Sequence, residues 1–599
     1  ESNAEVLTDD QKLTVTDAHS GVLRVHYVKR ILSYAGKIRE SEVKIPYNPA
    51  TEKVTLLHAT VVSATGQRQE GSPDEINQMD ADWNASAKRY TGGKIFVDSL
   101  PGVEIGSTID VEYEIAMREE PFLSGFQAFQ LPDKVDRKSF VIEAPAALPI
   151  SEWQSGPAGV VTRSERTVDG KEIREWQAQQ VGAVPVEPNA PPPWLSQAGV
   201  AYTFGDPAAY LRELNRTLLG RAAKSAHAGT IARRLAGAAK GPEETVRAIR
   251  DYVARNVRAA GPGFTDLPLD ELSDADTTLS EGYGHQADRA ILYHAMLAAA
   301  GLHPEFVLAS GLPAIGPVSR VAKTSALLDA FADPLVKVTI GGAVYYLNDT
   351  DQYAPLGATL HDDRLAIALD SGSLETIAAA KGDRTRVATH YTVSLDQAGN
   401  ATIGIREEYY GMNYAEMNRH LAEMRPEERA HYYEETVSGV AQGARPAGEL
   451  ETDFTGYPGV EQFAVTVDRY GVADHGYLYL NLPFTPRLRA TGAAQRAQAL
   501  YIESESDDTS AAEVKLPPTY HDLVISPKTA SLTFPEDSGS VRIESANEGN
   551  VYPVTYRLQR HPALISPPDY PAARAAESTL ENRASRVLLL ENGTSGAQS

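Results

Sequence analysis

The sequence predicts a multidomain chain: an N-terminal antiparallel β-sandwich (1–190), a central α+β core (191–375) and a C-terminal β-rich domain with a helical interlude (376–599). Three observations carry this prediction. At 599 residues the chain exceeds what one hydrophobic core sustains. The spacing of apolar residues shifts from period two to the helical period after Pro207 and returns to period two beyond about residue 370. Between the first two regions lies "VPVEPNAPPPWL" (184–195), whose five prolines forbid helix or central strand and mark a semi-rigid linker.

The elements follow in order. In "TIDVEYEI" (108–115), Ile109, Val111, Tyr113 and Ile115 share one face at strict period two. "VLRVHYVKRIL" and "KVTLLHATVVSATG" are similar β-rich runs, and about eight such runs suggest a large sandwich. "SLPGVEIGS" (99–107) is a loop that feeds the 108–115 strand. In the core, "GPEETVRAIRDYVARNV" starts a helix at Pro242 with two glutamates and aligns Val246, Ile249, Val253 and Val257 in one stripe. "QADRAILYHAMLAAAGL" is a second helix, stopped by Gly301. Three short strands follow, "HPEFVLAS", "PLVKVTI" and "AVYYLND", with Gly341-Gly342 turning the second into the third. The C-terminal region opens with a hairpin over 389–410 turning at Gly399 and Asn400, then a helical interlude at roughly 413–441. Strands such as "QFAVTVDRY" and "YLYLNL" come next, and a frayed tail is expected over "LLENGTSGAQS". No short tandem repeat is evident.

Composition excludes several functions. Lys and Arg total 56 against 80 Asp and Glu, a formal net charge of -24 that repels phosphate backbones and anionic lipid, so no nucleic-acid partner is expected. No apolar run approaches the roughly 20 residues of a membrane-spanning helix. The absence of cysteine excludes disulfides, thiolate metal sites and thiol nucleophiles. Because the chain opens at Glu1 and not at methionine, a processed form is expected.

The segment most suggestive of a site is "GYGHQADRA" (282–290), where glycines lead into a helix. His285 could pair with Asp333 as acid and base or bind a metal, but a local hydrogen bond at the helix start is the favoured reading. His294 lies on the same helix, and neither histidine has HExxH spacing. "DADTTLSE" (274–281) and "NDTDQY" (348–353) alternate acidic oxygens without the glycine and twelfth-position glutamate of a calcium loop, so capping is preferred and no metal or cofactor is expected. Tyr283, Tyr293, Tyr345, Tyr346 and Tyr353 fall near this motif. They could line a sugar or peptide groove, although core packing explains any single one better. The serines form no GxSxG elbow, and no phosphate loop is present.

Four segments in this order carry a resemblance: "SLPGVEIGSTIDVEYEI", the 282–302 turn and helix, "YYLNDTDQYAPLG" (345–357) and "ISPPDYPAARAAEST" (565–579). The chain resembles bacterial transglutaminase-like proteins of the papain-like fold whose core lies between two β-rich domains of uncharacterised function. Members that keep the chemistry carry a Gly-Asp-Cys turn, a histidine on the next strand and an aspartate on the following one. A helix N-terminus lowers the cysteine pKa, histidine takes its proton and the carboxylate orients the imidazole. In this sequence the three positions hold Gln286, Asp333 and Asn348.

The resemblance therefore implies a pseudo-enzyme with no catalytic residue. Its degenerate positions Gln286, Asp333 and Asn348, with His285, Tyr283 and Tyr346, form a candidate binding groove. The expected function is a binding or scaffold protein of the cell envelope, with a peptide, a glycan or an envelope protein as partner. The resemblance further implies the periplasm or cell surface of a Gram-negative bacterium. One alternative is a hydrolase or acyltransferase with repurposed residues; another is a structural subunit of a larger protein assembly.

Overall fold

In the computed structural model, the strand Thr108–Met117 buries Ile109 and Val111 completely and packs Tyr113 and Ile115 against them, while Asp110 and Glu112 occupy its other face. This alternation repeats across the region. The structure describes residues 2–71, 76–380, 382–484, 494–580 and 582–592, apart from the side chain of His521. Where the sequence suggests three domains, the chain divides into two compact units, Glu1–Asp349 with Arg364–Ile377 and Thr350–Asp363 with Ala378–Ser599.

The first unit begins with an eight-stranded sheet. Its spatial order is 162–168, 171–181, 134–145, 4–17, 20–31, 108–117, 52–62 and 68–70. Its neighbours are antiparallel except for Ala4–Asp17 and Lys134–Pro145, which run parallel with Leu13 opposite Ile142. A parallel pair joins segments far apart in sequence and needs a long crossover, so no local turn signal announces it.

Two three-stranded sheets complete the layers. One, from Ser124–Ala128, Ile150–Ser155 and Gly199–Phe204, contributes Val200 and Phe204 to a core with Leu13, Phe140 and Trp176. The other, from Glu42–Tyr47, Ile76–Asp80 and Lys94–Ser99, contributes Ile45 and Phe96 to a core with Val61 and Val111. Each fully buried side chain of this size contributes about 1.5–3 kcal/mol. The first core also encloses an ion pair, Lys138 Nζ to Asp9 Oδ2 at 2.7 Å.

The helices of this unit form as the sequence pattern dictates. Asp206 Oδ1 caps Pro207–Ala222 by accepting from the Ala208 amide at 2.9 Å. Pro242–Asn256 buries Val246, Ile249 and Val253 entirely, and Val257 just beyond it is also buried. The helix Gln286–Ala299 is apolar on almost every side, from Ala287 to Leu297, because other elements surround it. It ends in a Schellman turn: Gly301 at φ +85° donates to Ala298 O and Leu302 to Leu297 O.

The three expected strands are Pro304–Pro313, Asp333–Ile340 and Ala343–Leu347, with Gly341 and Gly342 both at positive φ between the last two. Two further strands, Arg364–Ala368 and Leu374–Thr376, extend this sheet to five.

The second unit is built on a nine-stranded sheet. It contains the hairpin Arg386–Leu395 and Ala401–Tyr410, and its first strand runs parallel to Ser506–Lys515. The helical interlude is two helices, Gly411–Glu423 and Pro426–Val440. The expected frayed tail is corrected in part: Val587–Asn592 is an inner strand between Tyr477–Asn481 and Tyr520–Ile525, and it buries Leu588 and Leu590. The run of apolar residues 587–590 outweighs proximity to the terminus. The rest of that segment, 593–599, lies outside the described residues. No helix among the described residues is long and apolar enough to cross a membrane.

Candidate functional site

The turn before Gln286 is shaped by its neighbours. Gly282 ends the helix Ala275–Glu281 at φ +69°, and Tyr283–Gly284 pairs with Arg258–Ala259. A β-carbon on Gly284 would come within 2.8 Å of Thr278 Cγ2, so glycine is required there. His285 is the N-cap of the next helix: its Nδ1 accepts from the Ala287 amide at 3.0 Å. The ring is buried between Tyr90 and Phe264, and this burial holds its pKa below the usual histidine value. The local hydrogen bond expected of a helix-start histidine is therefore present.

Gln286 opens the helix with an exposed side chain. Its backbone carbonyl accepts from Asn348 Nδ2 at 2.9 Å, and the same amide group donates to Pro334 O at 2.7 Å. Asn348 sits just past the strand Ala343–Leu347 at φ +97°, a conformation asparagine tolerates better than most residues. Asp333 begins the neighbouring strand and directly precedes Pro334. Gln286, Pro334 and Asn348 are thus joined by hydrogen bonds, with Asp333 adjacent in the chain.

Beneath the helix start lies a buried polar centre that sequence reading missed. The Asp288 carboxylate is fully buried. Its Oδ1 accepts from the Ser273 amide at 2.7 Å, and its Oδ2 accepts from Arg89 Nη2 at 3.1 Å and from the Tyr90 hydroxyl. The same hydroxyl accepts from the His285 amide. Arg89 also pairs with Glu281 and lies over the rings of Tyr90 and Tyr283. Arg89 and Tyr90 belong to the β-rich region, so that region holds the helix start in place. The available signal was an aspartate on the apolar side of "QADRAILYHAM", a residue type rarely buried without a partner.

The tyrosines do not converge. Tyr283 packs against Arg89 and Arg258, and Tyr293 is wholly buried, its hydroxyl donating to Arg250 O. Tyr346 is a core residue beside Leu335 and Ile377, where burial pushes its pKa to about 12, and Tyr345 is buried too. Tyr353 belongs to the second unit, beneath Arg419. His294 stacks on Phe306 with ring centres 4.4 Å apart, and burial lowers its pKa to about 4. The acidic segments serve local structure. Asp276 accepts from the His227 and Ala228 amides at the start of a helix, and Asp351 accepts from the Tyr353 amide.

A separate cavity of about 630 Å³ in the first unit is lined by Phe122, Tyr210, Glu120, Asp206, Glu213 and Glu271, among others. Phe122 and Tyr210 meet edge to face at 4.8 Å, and burial raises the Glu120 carboxyl to about 7.

The helix start at Gln286 is tied by Asn348 to the antiparallel strands Asp333–Ile340 and Ala343–Leu347. Residues 229–316 match the transglutaminase-like superfamily, so the chain carries a transglutaminase-like domain. Residues 17–185 match a domain of unknown function with a solved structure, DUF3857. The fold is shared along almost the whole length with a crystal structure from Parabacteroides distasonis described as a "putative protease": identity 17%, coverage 98% of this chain and 99% of that one, TM-score 0.68. Two partial similarities have much lower scores. One is an M1 zinc metallopeptidase from Deinococcus radiodurans, with 14% identity, 34% and 42% coverage and TM-score 0.19. The other is a "putative cysteine protease" from Cytophaga hutchinsonii, with 11% identity, 55% and 76% coverage and TM-score 0.17. Among curated proteins nothing matches the chain.

Proposed function

We propose that this chain is a non-catalytic transglutaminase-like protein that binds a peptide, a glycan or a partner protein in the cell envelope. The observation that carries the reading is the use made of the three family positions. Gln286 has no nucleophile, and Asn348 spends both amide hydrogens on the backbone carbonyls of Gln286 and Pro334. The site is thereby a structural junction. Thiol chemistry needs a thiolate, and the sequence contains no cysteine from which to form one. His285 is buried and commits Nδ1 to the helix cap, which argues against its service as a repurposed base. The acidic, aromatic-lined cavity supports binding of a ligand that carries positive charge, such as a basic peptide segment.

Stepwise restoration tests the reading. Gln286→Cys alone is expected to give no amine incorporation, since Asp333 when ionised only accepts hydrogen bonds and cannot shuttle protons as histidine does. The triple change Gln286→Cys, Asp333→His, Asn348→Asp is expected to regain a trace. Activity in the single variant equal to that of the triple would overturn the assignment of roles. Cell fractionation tests location: recovery in the cytosolic fraction would contradict the envelope.

A further inference from the structure

We propose that the outer face of the eight-stranded sheet carries a divalent transition-metal site formed by His26, His58 and Asp110, with a donor set that suits zinc. Asp110 lies on the strand Thr108–Met117, which is hydrogen-bonded on one side to Ser20–Ile31 and on the other to Glu52–Val62. In both pairings the residue opposite Glu112 is a histidine, His26 on one side and His58 on the other. Asp110 is two residues along the same face, and this period-two register brings all three side chains together.

The donor atoms converge. Asp110 Oδ1 is 3.0 Å from His26 Nε2 and 2.8 Å from His58 Nε2, and the ligand atoms of the three residues lie within 4.8 Å of one another. Tetrahedral zinc with bonds of about 2.0–2.1 Å separates its ligands by roughly 3.3 Å, so small ring rotations would admit the ion. Two imidazole nitrogens and one carboxylate oxygen suit zinc or its neighbours better than calcium or magnesium, which take oxygen ligands.

The surroundings favour a cation. Glu112 Oε2 lies 3.5 Å from His58 Nδ1, which adds a second carboxylate beside the cluster. Arg24, the nearby cation, is directed to Glu112 at 2.6 Å and more loosely to Glu114, leaving Asp110 to the two imidazoles. The His26, His58 and Asp110 side chains are each about one third exposed, so an ion can reach them and water can complete its shell. No sequence motif announces the site, because its residues come from three strands.

The test uses the full chain without an affinity tag, titrated with zinc and separately with cobalt(II), whose visible absorption reports tetrahedral coordination. One zinc per chain is expected, with affinity at least tenfold weaker in His26→Gln, His58→Gln and Asp110→Asn, and with the cobalt spectrum lost in the same variants. Unaltered circular dichroism and metal-free unfolding temperature would show that the variants fold. If the native chain binds no zinc, or the His26→Gln/His58→Gln chain binds it as tightly, the hydrogen-bonded cluster is structural and the proposal is wrong.

Discussion

Replacing Asp288 by asparagine tests whether the β-rich region anchors the helix start. The substitution keeps the side-chain volume, and the new carbonyl can still accept from the Ser273 amide. Its NH2 group then faces two donors, the Tyr90 hydroxyl and the Arg89 guanidinium. The hydroxyl can turn; the guanidinium has no acceptor to offer. Breaking a buried ion pair costs about 3–5 kcal/mol. Arg89 keeps Glu281 and its side chain is 16% exposed, which puts the expected loss at the lower end, about 3 kcal/mol. For a cooperative unit of this size that lowers the unfolding temperature by about 4 °C. Scanning calorimetry measures the shift, and backbone amide exchange across residues 285–290 should accelerate with it. A shift smaller than about 1 °C, with exchange unchanged, would refute the anchoring role.

Three further outcomes follow from the geometry. Lys138→Met leaves the buried Asp9 carboxylate with a hydrogen bond from Gln11 but no counter-charge and should cost about 3 kcal/mol in chemical denaturation, whereas Lys138→Met with Asp9→Leu should recover most of that loss. Asn348→Ala removes two hydrogen bonds and places a less tolerant residue at φ +97°, a loss of about 1–3 kcal/mol in thermal unfolding, and Asn348→Gly should lose less. Burial raises the Glu120 and Glu461 carboxyls to about 7 from 4.5. Their contribution to stability is complete below pH 4.5 and is lost as pH rises through 7, a slope that the Glu120→Gln/Glu461→Gln chain should lack in pH-dependent unfolding.

Much of this fold is legible where the signal is local. Pro242–Asn256 declares itself through its start and a four-residue stripe that is buried as read. The strand 108–117 declares itself through alternation, and the hairpin 386–410 through its turn at Gly399, which has φ +83°. What depends on distant partners is not legible. The parallel pairing of Ala4–Asp17 with Lys134–Pro145 has no local cue, and neither does the partnership of Asp288 with Arg89 and Tyr90. Tyr346 shows the converse: proximity in sequence to a motif suggested a groove, but strand alternation turned the ring into the core. Gln286 and Asn348 are placed by the family resemblance and not by local pattern, and the Asn348 amide group donates to the Gln286 carbonyl.

The most direct test of the central claim measures the unmodified chain. The purified protein is incubated with a fluorescent amine and a glutamine-bearing protein, and in parallel with a mixed peptide library. Neither amine incorporation nor peptide cleavage above a heat-denatured control is expected. Turnover by the unmodified chain, abolished by His285→Ala or Asp333→Ala in a folded protein, would contradict this expectation.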